Sequence, residues 1–184
     1  MQIETTPIAG CLLITPKIHG DPRGYFKEIF QAERYRDAGI TPDFVQDNFS
    51  HSRQGVLRGL HFQTTRPQGK LIQALNGVIY DVCVDLRADS PTLGEWYGAS
   101  LTGDNHRQLY IPPGCAHGFY VASEKADVTY KCTDYYVPSD EETLMWNDPD
   151  VGIKWPLVGL PTISGKDQVG LSLQQLRDKK DLKS

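Results

Sequence analysis

Arg58, His61 and Lys70 lie within fourteen residues of one another, in RGLHFQTTRPQGKL at positions 58–71. Together they offer an anion-binding guanidinium, an imidazole able to accept a proton near neutral pH, and an ammonium able to hold developing negative charge. The chain as a whole carries a formal net charge of −4, so bulk charge balance does not require three bases here. Leu60 and Phe62 share one face of a strand-like run, and alternation turns His61 to the other. Lys70 opens the next run after a connection containing Pro67 and Gly69, short enough to make the two strand ends neighbours. Strict alternation puts Arg58 opposite His61. Gly59 offers a remedy, because a bulge at a strand glycine shifts the facing by one residue and lets both side chains enter one cavity.

Two further stretches carry chemistry. In IPPGCAHGFY, 111–120, Pro113, Gly114 and His117 read as a turn leading into a strand. In VTYKCTDYY, 128–136, alternation puts Tyr130, Cys132, Asp134 and Tyr136 on one face, which presents two phenols to the same side. No G-x-S-x-G nucleophile turn occurs. A barrel metal site built on a His-x-His pair is broken at its first step, since Gln63 stands two residues after His61, and His117 is the only other histidine in a matching turn. His19, His51 and His106 lie in loop-like surroundings and read as surface residues. Cys11, Cys83, Cys115 and Cys132 are scattered without a C-x-x-C pair and read as buried small apolar residues.

The elements that must hold these groups are mostly strands. CLLIT (11–15), GYFKEIF (24–30), DFVQDNFS (43–50) and GVLRGLHF (55–62) are short β-like runs between Gly, Pro and Asp breaks. The sharpest is GVIYDVCVDLR, 77–87. Val78, Tyr80, Val82, Val84 and Leu86 take one face, and Ile79, Asp81, Cys83 and Asp85 the other. Runs at 95–101, 107–112, 118–122 and 127–136 continue at intervals typical of a β-sandwich or barrel. One short helix is predicted near 31–38, stopped by Gly39, and the tail from Leu171 to Lys183, with Leu171, Leu173, Leu176 and Leu182 loosely spaced, reads as an amphipathic helix docking on the sheet with a frayed end.

The 184 residues suit one domain with one core. The charge gives no footprint for a nucleic acid, though it leaves room for a local pocket for one small anion. The N-terminus has no basic leader, and no run approaches the roughly 20 apolar residues of a membrane span, so cytoplasm is the expected location.

In order and spacing, DPRGYF, FVQDN, RGLHFQ with PQGKL, VDLR, IPPGCAHGF, YKCTDYY, WNDPDVGIKWP and a late GKD resemble the dTDP-4-dehydrorhamnose 3,5-epimerase family over roughly residues 5–170. The resemblance implies a cupin-type jelly-roll β-barrel, a homodimer, and a dTDP-linked 4-keto-6-deoxysugar inverted at C3 and C5 with no cofactor or metal. It assigns His61 as general base, Asp167 as its partner, Tyr130 as acid, and Lys70 to the enolate oxygen. His117 would lie near the sugar. Arg23, Glu28, Gln46, Asp47, Asn48, Arg58, Tyr136, Glu141 and Lys166 would hold the nucleotide and diphosphate, with Tyr136 stacked on thymine. Strand parity separates Asp47 from Gln46 and Asn48, which leaves it a backbone contact. Gly165 departs from the family pattern, at a loop position that keeps Asp167. A single-carbon epimerase and a non-catalytic sugar-nucleotide barrel are the alternatives; the second would have no use for a base, an opposed phenol and a lysine together.

Overall fold

The computed structural model describes residues 1–181. Its strands are β1 Gln2–Thr5, β2 Leu12–Thr15, β3 Ile18–Asp21, β4 Gly24–Lys27, β5 Gln46–Arg53, β6 Leu57–Gln63 and β7 Lys70–Asn76. They continue as β8 Val78–Asp85, β9 Trp96–Thr102, β10 Gln108–Ile111, β11 Cys115–Val121, β12 Lys125–Cys132 and β13 Glu141–Thr143. Helix α1 is Ala32–Asp37 and α2 is Leu173–Asp181. Two antiparallel sheets face each other, in the orders β1-β2-β10-β7-β12-β5 and β13-β6-β11-β8-β9, and β3 and β4 form a separate hairpin.

Alternation builds the core in three layers. Between the sheets, Leu13, Ile72, Leu109 and Val128 meet Ile79, Cys83, Leu101 and Phe119. Outside the smaller sheet, Leu60, Phe62, Val82 and Val84 are covered by Leu144, Leu173 and Leu176. Outside the larger sheet, Ile14, Leu71 and Tyr110 are covered by Tyr35 of α1 and Ile40. Each such fully buried aliphatic side chain contributes about 1.5–3 kcal/mol. The two faces read for residues 77–87 are the faces found, and all four cysteines are buried and free.

Two expectations change. The run read as continuous to Tyr136 ends at Cys132, because Cys132 pairs with Lys70 on one side and Gln46 on the other, where both neighbouring strands begin. Asp134 instead accepts from Arg66 Nε at 3.0 Å, off the ladder. His117 sits inside β11, not in a turn, paired on both sides with His61 and Cys83. The connection at 64–69 carries the chain between the sheets, since β6 belongs to one and β7 to the other. The late helix starts at Leu173, where Ser172 and Gln175 cap each other reciprocally, the Gln175 amide donating to Ser172 Oγ at 3.1 Å and the Ser172 amide to Gln175 Oε1 at 2.9 Å. Leu173 and Leu176 dock it on the sheet. The expected fraying and Leu182 lie outside the described residues.

The bulge at Gly59 is present. His61 pairs with His117 and Arg58 with Phe119, so three β6 residues span what two β11 residues span. Gly59 has φ +108°, and a Cβ there would stand 2.5 Å from the His117 carbonyl oxygen and 2.6 Å from Gly118 Cα. Gly59→Ala therefore combines a left-handed backbone with a backbone clash, and a loss of about 2–5 kcal/mol is expected in urea unfolding.

Candidate active site

Strands from both sheets direct polar side chains into one end of the interior. From the smaller sheet, His61 and Arg58 enter beside each other through the bulge, His117 projects from β11 and Asp81 from β8. From the larger sheet come Lys70 on β7, Tyr130 and Cys132 on β12, and Gln46 and Asn48 on β5. Cationic and phenolic groups thus lie across a gap from the imidazoles.

His61 Nε2 and Asp167 Oδ1 are 2.6 Å apart. The acid is brought there by a short 3-10 turn at Asp167–Val169, and its second oxygen accepts from the Gly59 amide at 3.3 Å. Asp167 is 3 % exposed, while His61 is a quarter exposed in its side chain. Burial pushes the Asp167 carboxyl up, but the His61 hydrogen bond and charge and the Gly59 amide outweigh it and hold the group below the ordinary aspartate value. A carboxylate at Nε2 selects the tautomer with hydrogen on that nitrogen, which leaves Nδ1 as proton acceptor. Nδ1 lies 3.7 Å from Glu141 Oε1. The other Glu141 oxygen accepts from Tyr136 Oη and Lys166 Nζ, each at 2.7 Å. Burial raises the Glu141 carboxyl, and Lys166, Tyr136 and His61 together bring it below its ordinary value.

A second imidazole–carboxylate pair lies deeper. His117 Nε2 is 2.7 Å from Asp81 Oδ1, with both residues buried. Burial drives His117 toward its neutral form and Asp81 upward, each partly offset by the other. Asp81 Oδ2 is buried with no hydrogen-bond partner among the described residues. Lys70, itself buried, reaches the His61 carbonyl oxygen at 3.4 Å. Burial lowers its pKa, opposed by Cys132, Glu141 and Asp81. Tyr130 stands with its ring 6.3 Å from that of His117, and burial raises its phenol.

Among the residues singled out as binding groups, Gln46 donates to Asn48 at 3.0 Å and accepts from the Tyr136 amide at 2.9 Å, so these three join one wall. Arg58 donates to Ser52 Oγ at 3.0 Å. Asp47 faces outward onto Lys131 at 2.8 Å, as its parity requires. Arg23 and Glu28 are not brought to the dyad: Arg23 is chelated by Asp21 in the β3–β4 turn, and Glu28 pairs with Arg34. His51 and His19 are exposed, and His106 is half-buried beside Lys27. Among the described residues no three His, Cys, Asp or Glu side chains are grouped so as to hold a metal ion.

Residues 5–175 match the family described as dTDP-4-dehydrorhamnose 3,5-epimerase. The chain belongs to that family. The dTDP-4-dehydrorhamnose 3,5-epimerase of Pseudomonas aeruginosa is 46% identical over 171 residues, covering 92% of this chain and 94% of the relative. That of Neisseria gonorrhoeae is 47% identical over 175 residues, and there the chain spans about half of the relative, 53%. Among solved structures, an epimerase from Legionella pneumophila in complex with dTDP-4-keto-L-rhamnose has a TM-score of 0.92 at 52% identity, covering 94% of this chain and 93% of that one. ChmJ, a 3'-monoepimerase from Streptomyces bikiniensis in complex with dTDP-quinovose, has a TM-score of 0.89 at 31% identity, covering 95% and 89%. The two-sheet barrel is accordingly the family's cupin-type jelly roll.

Sequence reasoning missed Asp81 as a partner in this epimerase-family site. Its signal was available, since Asp81 stands between Ile79 and Cys83 on one face of the strand, where a carboxylate flanked by apolar side chains needs a partner. Asp167 and Glu141 carried no local signal of proximity to His61, being 106 and 80 residues away in sequence.

Proposed function

We propose that the chain epimerises a dTDP-linked 4-keto-6-deoxysugar at C3 and C5, converting dTDP-4-dehydro-6-deoxy-D-glucose to dTDP-4-dehydro-L-rhamnose. The carrying observation is the 2.6 Å contact between a partly exposed His61 and a buried Asp167 on one wall, with Lys70 and Tyr130 on the facing sheet. His61 Nδ1 takes the proton from a carbon beside the ketone, and the electron pair moves onto the ketone oxygen as an enolate. Lys70 stabilises that oxygen, and Tyr130 returns a proton to the opposite face of the carbon. The phenolate is then reprotonated and His61 deprotonated by solvent, which readies the site for the second carbon. No electron is gained or lost overall, so the reading calls for no redox cofactor.

Arg58, Lys166, Gln46, Asn48 and Tyr136 suit the diphosphate and thymidine by their chemistry, Tyr136 by stacking. Glu141, held by Lys166 and Tyr136, organises that edge, and His117 meets the sugar. Arg23 and Glu28 are assigned to the nucleotide through the family likeness alone. We read residues 1–184 as one epimerase domain with a helical tail, located in the cytoplasm, in keeping with the absence, among the described residues, of a helix long and apolar enough to cross a membrane. A homodimer fits the exposed Tyr25 and Phe26 on the hairpin and Phe49 on the edge strand β5, apolar surface that a second copy would cover.

The test is incubation with the 4-keto-6-deoxyglucose nucleotide in heavy water, with deuterium located by NMR. Label at both carbons flanking the ketone is expected. Label at C3 alone would replace this reading with a monoepimerase, which the likeness to ChmJ keeps as the second reading. Tyr130→Phe is expected to lower turnover about 10²-fold while deuterium exchange with the substrate persists, because abstraction survives and delivery to the opposite face does not.

A further inference from the structure

Behind β6, on the side away from His61, lies a cavity of about 540 Å³. It lies between the outer face of the smaller sheet, the segment after β8 and helix α2, and plays no part in the epimerase reading. Its volume falls in the range of small-molecule sites. The wall is mostly apolar, built by Phe62, Leu86, Leu93, Leu173 and Leu176, with Gln63, Thr64 and Thr65 at one side. Its charged lining is mainly cationic. Arg87 is held by Asp85 at 2.7 Å and Lys179 by Glu142 at 3.2 Å, so each of those charges is already matched. Arg177 also lines the cavity and makes no hydrogen bond or ion pair among the described residues.

An apolar slot with one unmatched guanidinium at its rim selects a body without polar groups and a single negative head. We propose that this cavity is a second ligand site, distinct from the sugar-nucleotide site, for a small amphipathic anion: an aryl or alkyl carboxylate, sulfonate or phosphate. The apolar part packs on Phe62 and Leu176, and the head meets Arg177. A nucleotide diphosphate fits poorly, since its two charges would face one free cation in a chain of net charge −4. Phe62 adjoins His61 on β6, and Glu142 adjoins Glu141 on β13, so an occupant touches the backs of the strands that carry His61 and Glu141.

The test is a fluorescence titration of the full chain with anilinonaphthalene sulfonate, with and without saturating dTDP. Saturable binding that dTDP leaves unchanged is expected. Arg177→Glu should weaken it about tenfold or more, the loss of one charge-assisted contact. Ala88→Trp, which fills the cavity from an exposed position, should abolish it, and both variants should keep wild-type turnover and circular dichroism. Displacement of the probe by dTDP, or unchanged binding in Arg177→Glu, overturns the proposal. So does dissociation of an oligomer by either variant, which would make the cavity an interface between copies.

Discussion

His61→Ala is expected to lower turnover by about 10³-fold or more while dTDP binds with nearly unchanged affinity. The proposed base is a single imidazole whose Nε2 is fixed by Asp167 at 2.6 Å, and among the described residues no second imidazole is placed to substitute for it. His117, the other histidine of the cavity, is engaged with Asp81 and held toward neutrality by burial. The groups proposed to hold the nucleotide have other partners: Arg58 is fixed by Ser52, and Gln46, Asn48 and Tyr136 hold one another. Steady-state kinetics and dTDP calorimetry on the same preparation check both halves. Turnover within tenfold of wild type would exclude His61 as the proton acceptor.

Lys70→Met is expected to cost about 10²–10³-fold in turnover, the loss associated with one preorganised donor at a developing oxyanion. It should also make the protein more stable. Burial lowers the Lys70 pKa in the fold, so the charged form is disfavoured there relative to the unfolded chain. The sign follows directly: the penalty is fully present below the folded pKa and fades as pH rises from there through the unfolded value. At neutral pH methionine removes it, for a gain on the order of 1 kcal/mol. The acids nearby do not become stranded, because Asp81 keeps His117 and Glu141 keeps Lys166 and Tyr136. Kinetics and urea unfolding together distinguish this from simple damage, which would lower both activity and stability. A buried ammonium that weakens the fold yet persists is the stability–activity conflict expected of an active site.

Much of this was legible in the chain because β alternation is a strong local signal. It gave the two faces of residues 77–87 and the outward turn of Asp47, while the glycine stop at Gly39 marked the end of the short helix. It also isolated Arg58 as a misfit that only a bulge at Gly59 could reconcile, and the register of β6 against β11 contains that bulge. What failed were inferences about partners across space. The 64–69 connection was read only as bringing two strand ends together, and its shortness does not tell that it carries the chain from one sheet to the other. The run to Tyr136 was read too long because alternation continues in the residues after both neighbouring strands have run out. Asp81, Glu141 and Asp167 reach the imidazoles only through sheet order and a late turn, information spread over more than a hundred residues.

The register that sets His61 directly opposite His117 has a consequence for how protons are held. Two imidazoles on adjacent strands repel when both are cationic, and the charge of His61 opposes that of His117. Burial, the Lys70 ammonium and that neighbouring charge all weigh against a proton on the inner ring, and only Asp81 favours one. The barrel interior thus holds a neutral dipole where a further cation would otherwise stand.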